Sequence, residues 1–347
     1  MSSTGRRVRA GRSVETLAVT RPSGPIAAAV EARWTDRGGL VAQLEDNLTS
    51  PLIGQGLRGV SALVHVVTPT DLLQDQAEDP VERRDRLVRE VRTLVLACAA
   101  SAVRQLVVVT AAQVYGALPD NPIPLPVDAP LRARGQVGLF ADLVAVEEAL
   151  AEAAPAYPGL RIAVLRPASV VGGVDTLTTR HFAAPRLLRV AGANPTWQFC
   201  HVDDLATAVE VTLDRRLAGG LPVASPGYLT QEEVEQRSGM RAVEVGASTA
   251  GAIAARLHRL GTLKSPESDL DFVMHPLVVD SVTLSAAGWT PAYDNDLCLA
   301  VLLEDVAAQT RGAPRFGARD AAALGAASAA VAVGATAAIM RRRRRKG

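Results

Sequence analysis

Lysine is almost missing from this chain. Of 37 basic residues only Lys264 and Lys346 are lysines, so the first 263 residues carry no ammonium side chain. Chemistry that needs such a group in that stretch is excluded. Cysteine is nearly as scarce. Cys98, Cys200 and Cys298 are odd in number and far apart, with neither a disulfide framework nor metal-ligand spacing. A reduced, cytoplasmic setting without a bound metal is the expectation. Aromatic residues make up 3% of the chain. No apolar stretch follows Arg6, Arg7, Arg9 and Arg12, so the N-terminus is not a secretory signal. Residues 1–13 read as a disordered basic arm.

Charge is balanced overall, at +1, but unevenly placed. Five arginines and Lys346 close the chain, and without residues 341–346 the body carries −5. A mildly acidic body argues against specific nucleic-acid binding. A small molecule or nucleotide remains a candidate ligand, and a homodimer a candidate assembly.

Hydrophobic patterning gives the architecture. Residues 14–20 read as a first strand, followed by a Pro-Gly turn and a short helix over 26–34. Residues 40–44 are a candidate strand, and 61–67 a buried one. A long amphipathic helix is expected over 79–102, with Pro80 suited to its first turn. Then come a continuously apolar strand at 105–110, a helix at 135–152 and a strand at 160–165. Alternation of this kind predicts an α/β fold, a doubly wound parallel sheet over 14–175. Shorter elements over 176–310 predict a smaller C-terminal cap subdomain.

Several stretches carry a resemblance. They are Gly59 to His65, Leu106 to Gly116 (containing Val-Tyr-Gly), Leu165-Arg166-Pro167 to Gly172, His201-Val202-Asp203-Asp204, and Val279-Asp280 leading to Gly288-Trp289-Thr290-Pro291. In this order the chain resembles the extended short-chain dehydrogenase/reductase superfamily, in its NAD-dependent epimerase/dehydratase branch. The resemblance implies a Rossmann-like sheet that binds NAD or NADP, with a nucleotide-sugar under the cap.

The residues that would carry that chemistry depart from the family pattern. The glycine-rich turn aligns with Thr20-Arg21-Pro22-Ser23-Gly24-Pro25-Ile26-Ala27, where only Gly24 is kept. A side chain at Arg21 resists the positive φ that such a turn uses, although an arginine there also suits a phosphate. Only one candidate strand lies between residues 27 and 61, where a full Rossmann half has two. If 40–46 is the second strand, Glu45 or Asp46 would meet the adenosine ribose; if it is the third, Asp46 or Asn47 would lie near the adenine, so Asp46 is a candidate under either assignment. The candidate cofactor contacts are thus Thr20, Arg21, Ser23, Gly24, Ile26, Asp46 and Pro167, with weak or absent binding expected.

In the resembled family a Ser or Thr, a Tyr and a Lys carry catalysis. Here the Ser/Thr position is Ala111, with Thr110 one place off. A family glutamate on the next helix sets the register. Anchoring on Glu147 puts Leu139 at the Tyr position and Leu143 at the Lys position; anchoring on Glu148 gives Phe140 and Val144. Leucine neither accepts a proton nor lowers a tyrosine pKa of about 10. No catalytic residue is assigned. For the substrate pocket the candidates are Tyr115, Arg186, Trp197 and His201, Trp197 standing where the family often has a pyrophosphate-binding arginine. Arg180, Arg186 and Arg189 read either as an anion site on the preceding helix or as a solvated basic face.

Residues 311–347 are expected to form a linker, an Ala-rich apolar helix and a polybasic end. The 20 uncharged residues 321–340 match a membrane span in length, but 11 are alanine. A tail anchor at the inner face of the cell membrane, a helix on an anionic surface or a partner, and a weakly ordered appendage remain three readings of 321–346.

Overall fold

The computed structural model describes residues 15–20, 24–68, 78–133, 138–260, 267–310 and 327–344. The basic arm 1–13, and Arg21, Pro22 and Ser23 of the turn, lie outside them. Strand β1 (Thr16–Val19) starts the sheet and leads to helix α1 (Pro25–Asp36), which buries Ile26, Ala27, Val30 and Trp34. Pro25 occupies the first helical position, where its fixed φ is already helical and its missing N–H breaks no helical hydrogen bond.

Strand β2 (Leu40–Ala42) pairs in parallel with β1, Leu17 opposite Val41. A single turn, α2 (Ile53–Gly56), then leads to β3 (Ala62–Val66), which pairs with the other side of β1. Residues 40–42 are therefore the strand next to β1, which decides between the two assignments left open by the sequence. Among the described residues the strand that usually lies outside it is missing, so the trimmed segment belongs to that edge.

Helix α3 (Pro80–Ala100) begins at Asp79, whose carboxylate accepts from the N–H groups of Val81 and Glu82. Strand β4 (Gln105–Val109) follows, then a 3-10 turn over Ala112–Tyr115, helix α4 (Leu139–Ala153) and strand β5 (Arg161–Pro167). Every residue of β3 and β4 is buried, as strands covered on both faces require. Helices α3 and α4 pack together on one face. On the other, α1 packs with α6 (Val202–Asp214).

The cap is interleaved with the rest of the sheet. Strand β6 (Ser169–Val171) leads through α5 (Leu177–Ala183) to β7 (Leu187–Ala191), β8 (Thr196–Trp197) and β9 (Phe199–His201). Strand β10 (Gly219–Val223) then returns to pair with β5, completing six parallel strands in the order β10-β5-β4-β3-β1-β2. Strand β11 (Leu229–Thr230) pairs with β8, ahead of helix α7 (Gln231–Ser238). Strand β12 (Ala242–Gly246) pairs with β7 and leads into α8 (Ala247–Arg259). A 3-10 segment (Glu267–Val273), α9 (Val282–Ala286) and α10 (Asn295–Thr310) finish the cap.

The C-terminal helix α11 (Ala327–Arg344) packs against α8, β7, α5 and the 3-10 segment. Its residues Ala329, Ala330, Val331, Ala332 and Val333 are buried in the same apolar cluster as Phe182, Trp197 and Leu299. That finding corrects the picture of a separate tail: small side chains let this helix sit close to the cap. Among the described residues no helix is long and apolar enough to cross a membrane. Residues 321–326 of the apolar run lie outside the described part.

Candidate functional site

At the C-terminal ends of β4 and β5, the sheet and the cap flank a cleft that opens to solvent at its mouth. Its walls include Gln113 after β4, Phe140 on α4, Ser169 on β6, and Thr178 and His181 on α5. Trp197, Phe272 on the 3-10 segment and Ser328 on α11 complete them. A smaller lobe continues toward the sheet, lined among others by Thr68, Ala111, Leu139, Phe140 and Val170. Ligands of open parallel sheets bind at strand carboxyl ends, so this is the expected place for a site.

The lobe's position is set by a buried ionic network under its floor. Arg166, on β5, donates from Nε and Nη2 to the Glu147 carboxylate, at 3.0 and 2.6 Å to Oε2. The Thr110 hydroxyl donates to Glu147 Oε1 at 2.7 Å, and Arg166 Nη1 donates to the Tyr115 hydroxyl at 2.7 Å. Gly220 on β10 leaves room for this: a Cβ there would lie 2.6 Å from Arg166 Cζ. Burial raises the Tyr115 phenol above its ordinary value, against the opposing pull of Arg166, so it stays protonated at neutral pH. Thr110 is fully buried and faces Glu147, so it does not stand in for the substituted Ser/Thr position. Glu147 is buried, which favours the register that places Leu139 and Leu143 at the Tyr and Lys positions. Leu139 lines the lobe, and Leu143 lies buried in the core.

Three of the four substrate-pocket candidates do not line the cleft. Tyr115 is buried under the loop, its hydroxyl donating to the Val127 carbonyl at 3.3 Å. His201 caps α6 through Nδ1, which accepts from the Asp203 N–H, and its ring stacks on Tyr293 with centroids 3.6 Å apart. Gly172, at φ +102°, gives that ring its space, since a Cβ would lie 3.0 Å from His201 Nε2. Arg186 is half-buried between α5 and β7, outside the cleft walls. Trp197 does line the cleft, its indole N–H donating to Gln231 Oε1 at 3.0 Å. The basic trio is partly paired: Arg180 with Asp175, and Arg189 with Glu235. Arg189 lies on β7 rather than on the preceding helix.

The cofactor candidates are more dispersed. Thr20 is buried, its hydroxyl accepting from the Val66 N–H and bonded to His65 Nδ1, both at 3.0 Å. Gly24 caps α1 in extended conformation, at φ −80°, without the positive φ that a glycine would serve. The first turn of α1 offers the Ile26 and Ala27 N–H groups, while Pro25 offers none. The Ile26 side chain points into the core. Asp46 is exposed, four residues past β2, and Pro167 is buried at the end of β5. Arg21 and Ser23 lie outside the described residues. This donor set fits a dinucleotide poorly: one pyrophosphate donor is replaced by proline, and the strand that usually lies outside β2 is missing among the described residues.

Sequence reasoning missed His181, the most unusual group in the cleft. Neither ring nitrogen has a hydrogen-bond partner among the described residues, and the ring lies against Trp197 with centroids 5.0 Å apart. Burial pushes its pKa down from 6.5 to about 4, so it is neutral at physiological pH. Its rarity, as one of five histidines, was the only signal.

Residues 55–222 match the NAD dependent epimerase/dehydratase family. An uncharacterized protein of Mycobacterium tuberculosis and one of Mycobacterium bovis are each 26% identical over 147 residues. Those matches span 42% of this chain and 39% of each relative. Among solved structures, the NAD complex of Thermus thermophilus UDP-glucose 4-epimerase superposes with a TM-score of 0.61 at 18% identity, covering 86% of this chain and 100% of that one. The Brucella ovis UDP-glucose 4-epimerase with NAD gives 0.63 at 16% identity, covering 84% and 98%. RMD from Pseudomonas aeruginosa with NADPH gives 0.62 at 16%, covering 85% and 99%.

Two predictions follow from the buried groups. Glu147→Gln leaves the Arg166 guanidinium buried without its counter-charge and lowers stability by about 3–5 kcal/mol in urea unfolding. The double variant Glu147→Gln/Arg166→Met recovers a large part of that loss. For His181 the folded pKa lies below the unfolded one, so stability is full above about 6.5 and is lost as pH falls toward 4. The stability difference between wild type and His181→Phe should therefore shift by about 3 kcal/mol between pH 7 and pH 4, against wild type at the acid end. A parallel pair of pH profiles would contradict the buried neutral histidine.

Across residues 55–222, just under half of its length, this chain is similar to the NAD-dependent epimerase/dehydratase family, and its fold is the Rossmann-like one of the solved structures above.

Proposed function

We propose that this chain is a binding member of the family that no longer runs Tyr–Lys catalysis and holds NAD(P) weakly or not at all. The observation that carries the reading is the lining of the inner lobe. Ala111, Leu139, Phe140 and Val170 surround the space at the sheet edge, and no ionisable side chain lines it among the described residues. Proton transfer needs a group within hydrogen-bond reach whose pKa lies near the working pH. The phenol nearest in sequence, Tyr115, is turned into the Arg166 network and kept protonated. His181, in the outer cleft, is neutral and buried, with no second group to orient it.

The cofactor side supports the same reading. An N–H is lost at Pro25, the Thr20 hydroxyl is committed to β3, and Asp46 stands exposed beyond β2. Each change weakens the grip on a dinucleotide without disturbing the sheet.

Calorimetric titration of the full chain with NAD+, NADP+ and their reduced forms is expected to give dissociation constants of about 1 mM or weaker. Micromolar binding that Gly24→Trp removes would favour the second reading, an atypical NAD(P)-dependent epimerase, dehydratase or reductase. The triple variant Ala111→Ser/Leu139→Tyr/Leu143→Lys tests the lobe itself. It is expected to gain no turnover of UDP-glucose, because the cofactor side is altered as well.

A further inference from the structure

Three aromatic side chains and a histidine ring share the walls of one cleft. Phe140 and Phe272 meet edge to face with centroids 4.8 Å apart, and Trp197 faces His181 with Phe182 behind. Phe140, Phe272, Trp197 and His181 all line the outer cleft. Such walls favour a flat, apolar ligand body through area burial and ring stacking.

Charge in the cleft points the same way. No arginine or lysine lines either lobe among the described residues, and Asp269 is the one carboxylate on the wall. Arg180 and Arg189 are held by Asp175 and by Glu235, and Arg186 lies outside the walls of both lobes. An anionic diphosphate seated here would lose its hydration and meet no lining cation among the described residues. Uncompensated burial of charge is strongly unfavourable.

Most polar groups on the walls already have partners. Thr178 donates to the Ser169 hydroxyl at 3.0 Å, the Trp197 indole to Gln231, and the Gln198 amide to the carbonyls of Ser225, Gly227 and Val279. The Thr196 hydroxyl accepts from the Leu277 N–H at 2.9 Å. His181 is the exception. A neutral imidazole always carries one N–H, and here that donor has no acceptor among the described residues, though it is fully buried. A buried donor left unsatisfied costs about 1–3 kcal/mol, which a ligand oxygen would return.

We propose that the cleft binds an uncharged, ring-bearing small molecule whose carbonyl or hydroxyl oxygen accepts the N–H of His181. Its ring packs among Phe140, Phe272 and Trp197. This rests on the binding reading above and replaces the nucleotide-sugar implied by resemblance with a neutral ligand. Ser328 on α11 forms part of the same wall, so the C-terminal helix completes the site from the cap side.

The test is a fluorescence titration of the full chain with 2-naphthol and, separately, calorimetry with 1-tetralone, both neutral at pH 7. Saturable micromolar binding is expected for at least one of them. His181→Phe keeps a ring against Trp197 but removes the N–H, and is expected to weaken binding about tenfold. Ser169→Trp, which adds an indole to the same wall, is expected to abolish it; a folded far-UV spectrum and thermal transition qualify each variant. UDP-glucose at a thousandfold excess is expected not to compete. No binding of either probe, binding indifferent to both variants, or displacement by UDP-glucose would each overturn the proposal. Absorbance at 340 nm, followed with NADH and 1-tetralone, separates the two readings. Oxidation of NADH would sink the non-catalytic reading whatever the affinities show, whereas failed probe binding with no oxidation sinks only the ligand class.

Discussion

Arg166 and Glu147 form the ion pair on which the architecture around the cleft depends. It joins β5 to α4, accepts the Thr110 hydroxyl from the end of β4, and fixes the Tyr115 loop through a second guanidinium nitrogen. Two strands, a helix and the Tyr115 turn are thereby held to one point, with Gly220 on β10 giving the guanidinium its space. A buried pair of this kind contributes less to stability than its Coulomb energy suggests, because both ions lose hydration. What it supplies is placement. With Glu147 fixed, the helix turn carrying Leu139 and Phe140 must face the cleft.

On the proposed reading, the sheet and the cap frame a cleft whose inner lobe is lined by Ala111, Leu139, Phe140 and Val170. The sheet ends, the β5 Arg-Pro turn and the cap strands still enclose a space where the family fold places its ligands. Helix α11 adds a wall, burying Ala329 to Val333 in the cap cluster and bringing Ser328 to the cleft. A fold kept by packing does not need its chemistry to survive.

Much of the fold was legible in the sequence. Continuous apolar runs gave β3 and β4, Asp79-Pro80 marked the start of α3, and the sparse 27–61 interval signalled a trimmed edge. The site was legible only in part. Ala111 at the Ser/Thr position, and Leu139 and Phe140 at the Tyr position in the two registers, all line the lobe. His201, Tyr115 and Arg186 were misplaced because motif order cannot tell whether a side chain faces a cleft, a helix end or the core. His201 went to a helix cap and Tyr115 to a buried ion pair. His181 carried no spacing signal at all; its importance comes from burial without a partner. The tail misled for a related reason, since an alanine-rich run reads alike whether it faces lipid or a closely packed cap.

The central claim is that this cleft binds without transferring hydride. The most direct measurement is a single-turnover experiment with the full chain in excess over UDP-glucose at saturating NAD+, followed at 340 nm and by product analysis. The account predicts no absorbance change and unaltered UDP-glucose. Transient reduction of NAD+ with formation of the epimeric or dehydrated sugar nucleotide would contradict it.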